Sequence, residues 1–208
     1  MQGASTTSVG DVDITLAGGN VTDNVYARGL LDGDAVTGDV TVTVTGSANY
    51  DCNFYGFSRT AGEENKAILT FDAYTGTISG EVNGFKEIAF AGDTAMAFAA
   101  KADISNNAWF FDLAERTTSG TAFASCEAAD FGENSTITLN IGEGQKLTGA
   151  WSIFDGGSST TYGKFDVLVG GASILTETLV LDEQIADGDY AGWGFTVEDT
   201  VLKFKNLA

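Results

Sequence analysis

"LAGGNVTDNVYARGLLDGDAVTGDVTVTVTG", residues 16 to 46, ends in an alternating run, Val40, Val42 and Val44, that answers an earlier run at Val12, Ile14 and Leu16. Equivalent positions lie 28 residues apart, and a third copy follows 27 residues later at Ala67, Leu69 and Phe71 of "KAILTF". Alternation at period 2 marks a strand with one buried face. Its recurrence at a fixed spacing of this size marks units that cannot bury that face alone and stack on their neighbours.

A second ladder keeps the same period. "VYARG" at 25 to 29, "NFYGFSR" at 53 to 59 and "EVNGFKE" at 81 to 87 place Ala27, Gly56 and Gly84 in step, and Phe57 aligns with Phe85. Each unit reads strand, Gly-rich turn, strand, with no room for a helix. The expected fold is therefore all-β: a parallel β-helix, or β-solenoid, with coils of about 28 residues. Val12, Val40 and Ala67 would form one inward column, Ile14, Val42 and Leu69 a second, and Leu16, Val44 and Phe71 a third. The alternative is a β-sandwich whose hairpins happen to be evenly spaced.

Composition agrees. Among 208 residues there are 27 Gly and no Pro, so turns fall to Gly, Asn and Asp, which tolerate positive φ. Val, Thr, Ile and Phe dominate the periodic segments, as strands require. A net charge of −19, from 29 acidic and 10 basic residues, would repel phosphates and anionic lipid, so nucleic-acid binding is not expected. No apolar run approaches the roughly 20 residues of a membrane span, so membrane insertion is not expected either. The start, "MQGASTTSVGD", lacks the basic and apolar regions of a signal peptide, so in an exported chain Met1 would be an added residue or the start of a trimmed form.

Beyond about residue 105 the rhythm changes. "NNAWFFDLAER" alternates at Trp109, Phe111 and Leu113, "STITLNIGEG" at Ile137, Leu139 and Ile141, and the 28-residue register is read as lost. "VEDT", 197 to 200, is expected to turn a closing hairpin between Phe195, Val197 and Leu202, Phe204. The chain divides into a tail (1–10), solenoid repeats (11–104), and irregular β coils with an antiparallel C-terminal cap (105–208), since an open solenoid end exposes unpaired backbone and core.

"ITLAGGNVTDNVYARG" followed by "AVTGDVTVTVTG" resembles the repeats of autotransporter-type bacterial surface proteins. "YGKFDVLVGG" and "YAGWGFTVEDTVLKFKNLA" look like the segment that closes the stalk of such passengers. The resemblance implies a right-handed parallel β-helix in an extracellular or cell-surface protein, commonly an adhesive or structural stalk. "VYARG" and "FYGFSR" depart from the Gly-richer family turn.

Little in the sequence points to catalysis. There is no His, which removes Ser-His-Asp and Cys-His mechanisms and His-ligated metals. Phosphate-loop and nucleophile-elbow motifs are absent. β-Helix polysaccharide enzymes combine Asp clusters with Arg or Lys, yet the only arginines are Arg28, Arg59 and Arg116. Asp32 and Asp34 in "LDGDAV", and Asp187 and Asp189 in "ADGDYAG", could offer oxygens to Ca²⁺. Both also read as plain Asp-Gly turns, and no other cofactor is implied.

Cys52 and Cys126, 74 positions apart, are either one long-range disulfide or two buried thiols. Tyr26, Tyr50, Tyr55 and Tyr74 lie near expected turns and Trp193 sits between glycines, so Tyr26, Tyr55 and Trp193 are candidates for stacking on sugars. The expectation is a non-enzymatic extracellular structural or adhesive protein whose partner is itself, end to end in a fibre or stalk, or a cell-surface glycan. The alternative is a carbohydrate-binding module or a β-helix polysaccharide-degrading enzyme.

Overall fold

A computed structural model describes residues 10–27, 38–56, 67–99, 108–132 and 135–208. The first coil holds β1 (Val12–Leu16) and β2 (Val25–Tyr26), and the second β3 (Val40–Thr45) and β4 (Phe54–Tyr55). The third holds β5 (Ala67–Asp72), β6 (Thr77–Ile78) and β7 (Val82–Asn83), and the fourth β8 (Glu87–Ala91) and β9 (Met96–Phe98). Then come β10 (Ala108–Asp112), β11 (Ala124–Ser125), β12 (Thr136–Ile141) and β13 (Trp151–Asp155). The last are β14 (Lys164–Val169), β15 (Ala172–Ser173), β16 (Trp193–Glu198) and β17 (Val201–Asn206).

The described residues contain no helix, and the strands stack into a β-solenoid rather than a sandwich. On one face β1, β3, β5, β8, β10, β12 and β14 pair in parallel. The second face carries β6, β9, β11 and β13 in parallel, and the third β2, β4 and β7. The three inward columns expected from the sequence are the observed register: Val12–Val40–Ala67, Ile14–Val42–Leu69 and Leu16–Val44–Phe71.

The spacing departs from expectation after β5. Leu69 pairs with Ile88, 19 residues on, and Ile88 with Trp109, 21 on; then Trp109 to Ile137 and Ile137 to Phe165 both return to 28. The register is thus lost earlier than the sequence reading places it, and is then regained. The cause is local. Between β4 and β5 the chain spends residues 56–66, whereas between β7 and β8 it spends only 84–86. Gly84 turns there at φ 73°, and the fully buried Phe85 follows at once. A Cβ on Gly56 would strike the Gly84 backbone, so the close stacking of these two corners requires glycine.

Side chains tie coil to coil at the other corners. The Asn24 carbonyl accepts from the Asn53 N–H at 3.2 Å, and the Asn53 carbonyl accepts from the Glu81 N–H at 2.8 Å. Inside, the columns become aromatic: Phe90 stacks on Phe71 at 5.5 Å and on Phe111 at 4.9 Å.

The C-terminal end is closed. β16 and β17 form the expected antiparallel hairpin, with Asp199 at φ 58° in its turn, and β17 pairs antiparallel with β13. Phe195 stacks on Phe165, the last ring of the Ile14 column, at 4.2 Å and 12°. The free edge of β16 is met by the 182–185 segment through bonds to the Phe195 and Trp193 carbonyls. The opposite end differs. β1 is the edge strand of its sheet, and Val12, Ile14 and Leu16 are only partly buried.

Candidate binding site

The sugar-stacking candidates separate into two places. Tyr26 and Tyr55 are register partners on the third face and stack on each other, centroids 5.3 Å apart and planes 25° from parallel. Two stacked rings cover the sides they turn to each other, so each has at most one face left for a sugar. Tyr50 and Tyr74, expected near turns, are core residues with 1% and 0% exposure. The Tyr74 hydroxyl donates to the Ala48 carbonyl at 2.6 Å, and burial raises its pKa.

Trp193 and Asp189 meet at the cap. They line a cavity of about 460 Å³ together with Lys146, Leu147, Val169 and Tyr190, closed on one side by the Gly144–Gln145 turn. The Tyr190 hydroxyl donates to the Gln145 carbonyl at 2.5 Å, which ties the 186–193 loop to the 142–150 turn. Gln145 is itself fixed: its amide donates to the Leu113 carbonyl at 2.9 Å and its side-chain carbonyl accepts from the Gly142 N–H at 2.8 Å. Leu147, Tyr190 and Trp193 are buried, and Lys146 and Asp189 stand exposed at the rim. Burial first, and Asp189 second, push the Tyr190 hydroxyl above its ordinary value, so it remains a donor.

The calcium candidates fare unequally. Asp32 and Asp34 lie outside the described residues. Asp187 and Asp189 flank Gly188, which sits at φ 86° in a turn closed by the Ala191 N–H on the Gly188 carbonyl. Among the described residues no three His, Cys, Asp or Glu side chains come together in a way that could hold a metal ion.

Cys52 and Cys126 are both free thiols. The disulfide considered from the sequence does not form, because the coil of Cys52 reaches that of Cys126 only through β6 and β9. Three strand spacings amount to about 14 Å, against the roughly 7 Å upper limit for bridged Cα atoms. Burial, then Asp51, raises the Cys52 thiol, and burial pushes Cys126 up to about 11. Neither is poised to react near neutral pH.

Of the arginines, Arg28 and Arg59 lie outside the described residues, and Arg116 is occupied within the fold. Its guanidinium is buried at 4% exposure and donates to the carbonyls of Thr118 (2.9 Å), Thr94 (2.8 Å), Gly92 (3.3 Å) and Thr121 (2.5 Å). Its Cζ lies 3.7 Å over the Phe123 ring. Burial lowers its pKa to about 10, which leaves it charged at neutral pH.

No family model, curated protein or solved structure matches this chain. The β-solenoid therefore stands on strand register, and the likeness to autotransporter passengers on the sequence motifs alone. Sequence reasoning singled out Trp193 and Asp189 in the cavity but missed Lys146, Leu147 and Tyr190. The Gly-rich "GEGQKLTG" was the available local signal, but nothing in the sequence says that this turn meets a loop some 45 residues further on.

Proposed function

We propose that this protein is a non-enzymatic structural and adhesive rod of the extracellular or cell-surface space, joined to its neighbour through β1, the N-terminal edge strand among the described residues. The observation that carries the reading is the asymmetry of the two ends. Phe195 and the hairpin close one, while among the described residues β1 is the edge strand at the other, with Val12, Ile14 and Leu16 only partly buried. A strand edge over apolar side chains is a template for pairing.

A closed C-terminal end argues against the head-to-tail fibre expected from the sequence. The same edge on two copies can instead meet itself about a two-fold axis, which gives a closed dimer. The autotransporter likeness supports the surface location. The structural reading fits an arginine spent on carbonyls and cysteines held as inert thiols.

Light scattering and negative-stain electron microscopy over a range of concentrations test it. The expected result is rods of doubled length and a concentration-dependent dimer, returned to monomer by Ile14→Asp, whose thermal midpoint falls by several degrees while unfolding stays cooperative. A monomer at every concentration would remove the joint, and long fibres would restore head-to-tail stacking. Release of reducing ends from a panel of polysaccharides would overturn the non-enzymatic assignment.

A further inference from the structure

We infer that the cavity between the 142–150 turn and the 186–193 loop is a binding site for a neutral saccharide. The site deepens the adhesive part of the function proposed above and rests on it. Its volume of about 460 Å³ lies within the range of small-molecule sites and accommodates one or two pyranose units.

The cavity is built before any ligand arrives. Its two walls are joined by the bond from the Tyr190 hydroxyl to the Gln145 carbonyl, and Gln145 is held in turn by Leu113 and Gly142. The 186–193 loop is anchored from behind, because the Gly192 N–H donates to the Ile185 carbonyl and the Leu207 N–H to the Gly192 carbonyl. A preformed site avoids the ordering cost that weakens binding by loops.

The chemistry of the lining selects the ligand class. Leu147, Val169, Tyr190 and Trp193 supply an apolar floor, and Lys146 and Asp189 supply one charge of each sign at the rim. Neither charge makes an ion pair or hydrogen bond among the described residues, and they do not pair with each other. An anionic ligand would meet Asp189 and the field of a chain with net charge −19. A cationic one would meet Lys146, against the attraction of Asp189 and the same field, so the cationic comparator is the stricter of the two. A wholly apolar one would strip water from both charges without replacing it. A neutral sugar avoids all three costs: its hydroxyls donate to the Asp189 carboxylate and accept from the Lys146 ammonium, and its C–H face lies on the floor. With Trp193 at 9% exposure, the ring serves as floor rather than as an open stacking platform.

Isothermal titration of the full chain with N-acetylglucosamine, methyl β-glucopyranoside and cellobiose tests the assignment, with glucuronate and glucosamine as charged comparators. Saturable binding of at least one neutral sugar is expected, with both charged comparators weaker. Asp189→Ala and Lys146→Ala each weaken it at least about tenfold, the loss of one charge-assisted hydrogen bond. Both side chains are exposed, so the thermal midpoints should not move. Three results would each overturn the site: no saturable heat with any of the neutral sugars, undiminished binding in both variants, or tighter binding of a charged comparator. The dimer measured by light scattering is independent of these titrations, so failure of the sugar site and failure of the rod reading are distinguishable.

Discussion

Arg116 shows how much one side chain can hold. Five N–H donors in a rigid fork match the four carbonyls of Gly92, Thr94, Thr118 and Thr121 around it, and the aromatic ring of Phe123 takes the place of a counter-ion. Arg116→Leu would fill the space but strand those acceptors, at a cost of about 3 kcal/mol or more. Arg116→Lys, with three donors and no fork, should recover only part of it. Chemical denaturation of the two variants against the parent measures both. Asp93 holds the same corner from the outside: its carboxylate accepts from the Thr117 hydroxyl and N–H and from the Thr118 N–H. The Thr117 hydroxyl chiefly, with the backbone of Thr117 and Thr118, keeps Asp93 below the usual carboxylate range. A folded-state pKa lower than the unfolded one means that Asp93 stabilises the fold above the unfolded value near 4, and that this contribution disappears as pH falls through the depressed one. Asp93→Ala should therefore lower the thermal midpoint at pH 7 and have no effect at a pH below both values. An equal loss at both pH values would show that the carboxylate's charge is not what matters.

Strands and columns were the most legible level, and the reason is geometric. Alternation at Val40, Val42 and Val44 fixes which side chains face inward, and a constant coil length fixes which of them stack, so the alignment of Ile14, Val42 and Leu69 is written in the sequence. The 19-residue step to Ile88 was not legible, because a shortened corner at 84–86 leaves no mark in "EIAFAG" beyond an ordinary strand. Nor was the cavity, whose walls meet through Tyr190 and Gln145, a contact that no local pattern encodes. The closing hairpin was readable, since Phe195, Val197, Leu202 and Phe204 alternate on both sides of a short acidic turn. Energetically the columns are graded from one end to the other. Phe90 is fully buried among Phe71, Phe98, Trp109 and Phe111, while Ile14 is half open on the edge strand. Phe90→Ala should cost about 3–5 kcal/mol and Ile14→Ala only about 1–2 kcal/mol, read as separate denaturation midpoints. Equal costs would mean that the N-terminal coil is as well packed as the fourth.

For the whole molecule, the N-terminal end combines two opposing terms. Val12, Ile14 and Leu16, on the edge strand among the described residues, favour joining, while exposed Asp11, Asp13 and Asp23 nearby add like charge to a chain already at −19. Two copies meeting through this edge bring the same carboxylates face to face, and repulsion between exposed charges acts over a Debye length of about 10 Å at 0.1 M salt. Apolar burial and strand pairing do not share that dependence. Raising sodium chloride from about 0.05 M to about 0.5 M shortens the screening length roughly threefold and should strengthen the dimer several-fold, as followed by sedimentation at fixed protein concentration. A head-to-tail joint held by opposite charges would respond the other way and loosen with salt. The sign of the salt effect therefore identifies which ends meet, independently of the images, and Asp13→Asn should reproduce part of the high-salt behaviour at low salt by removing one carboxylate from each side of the joint.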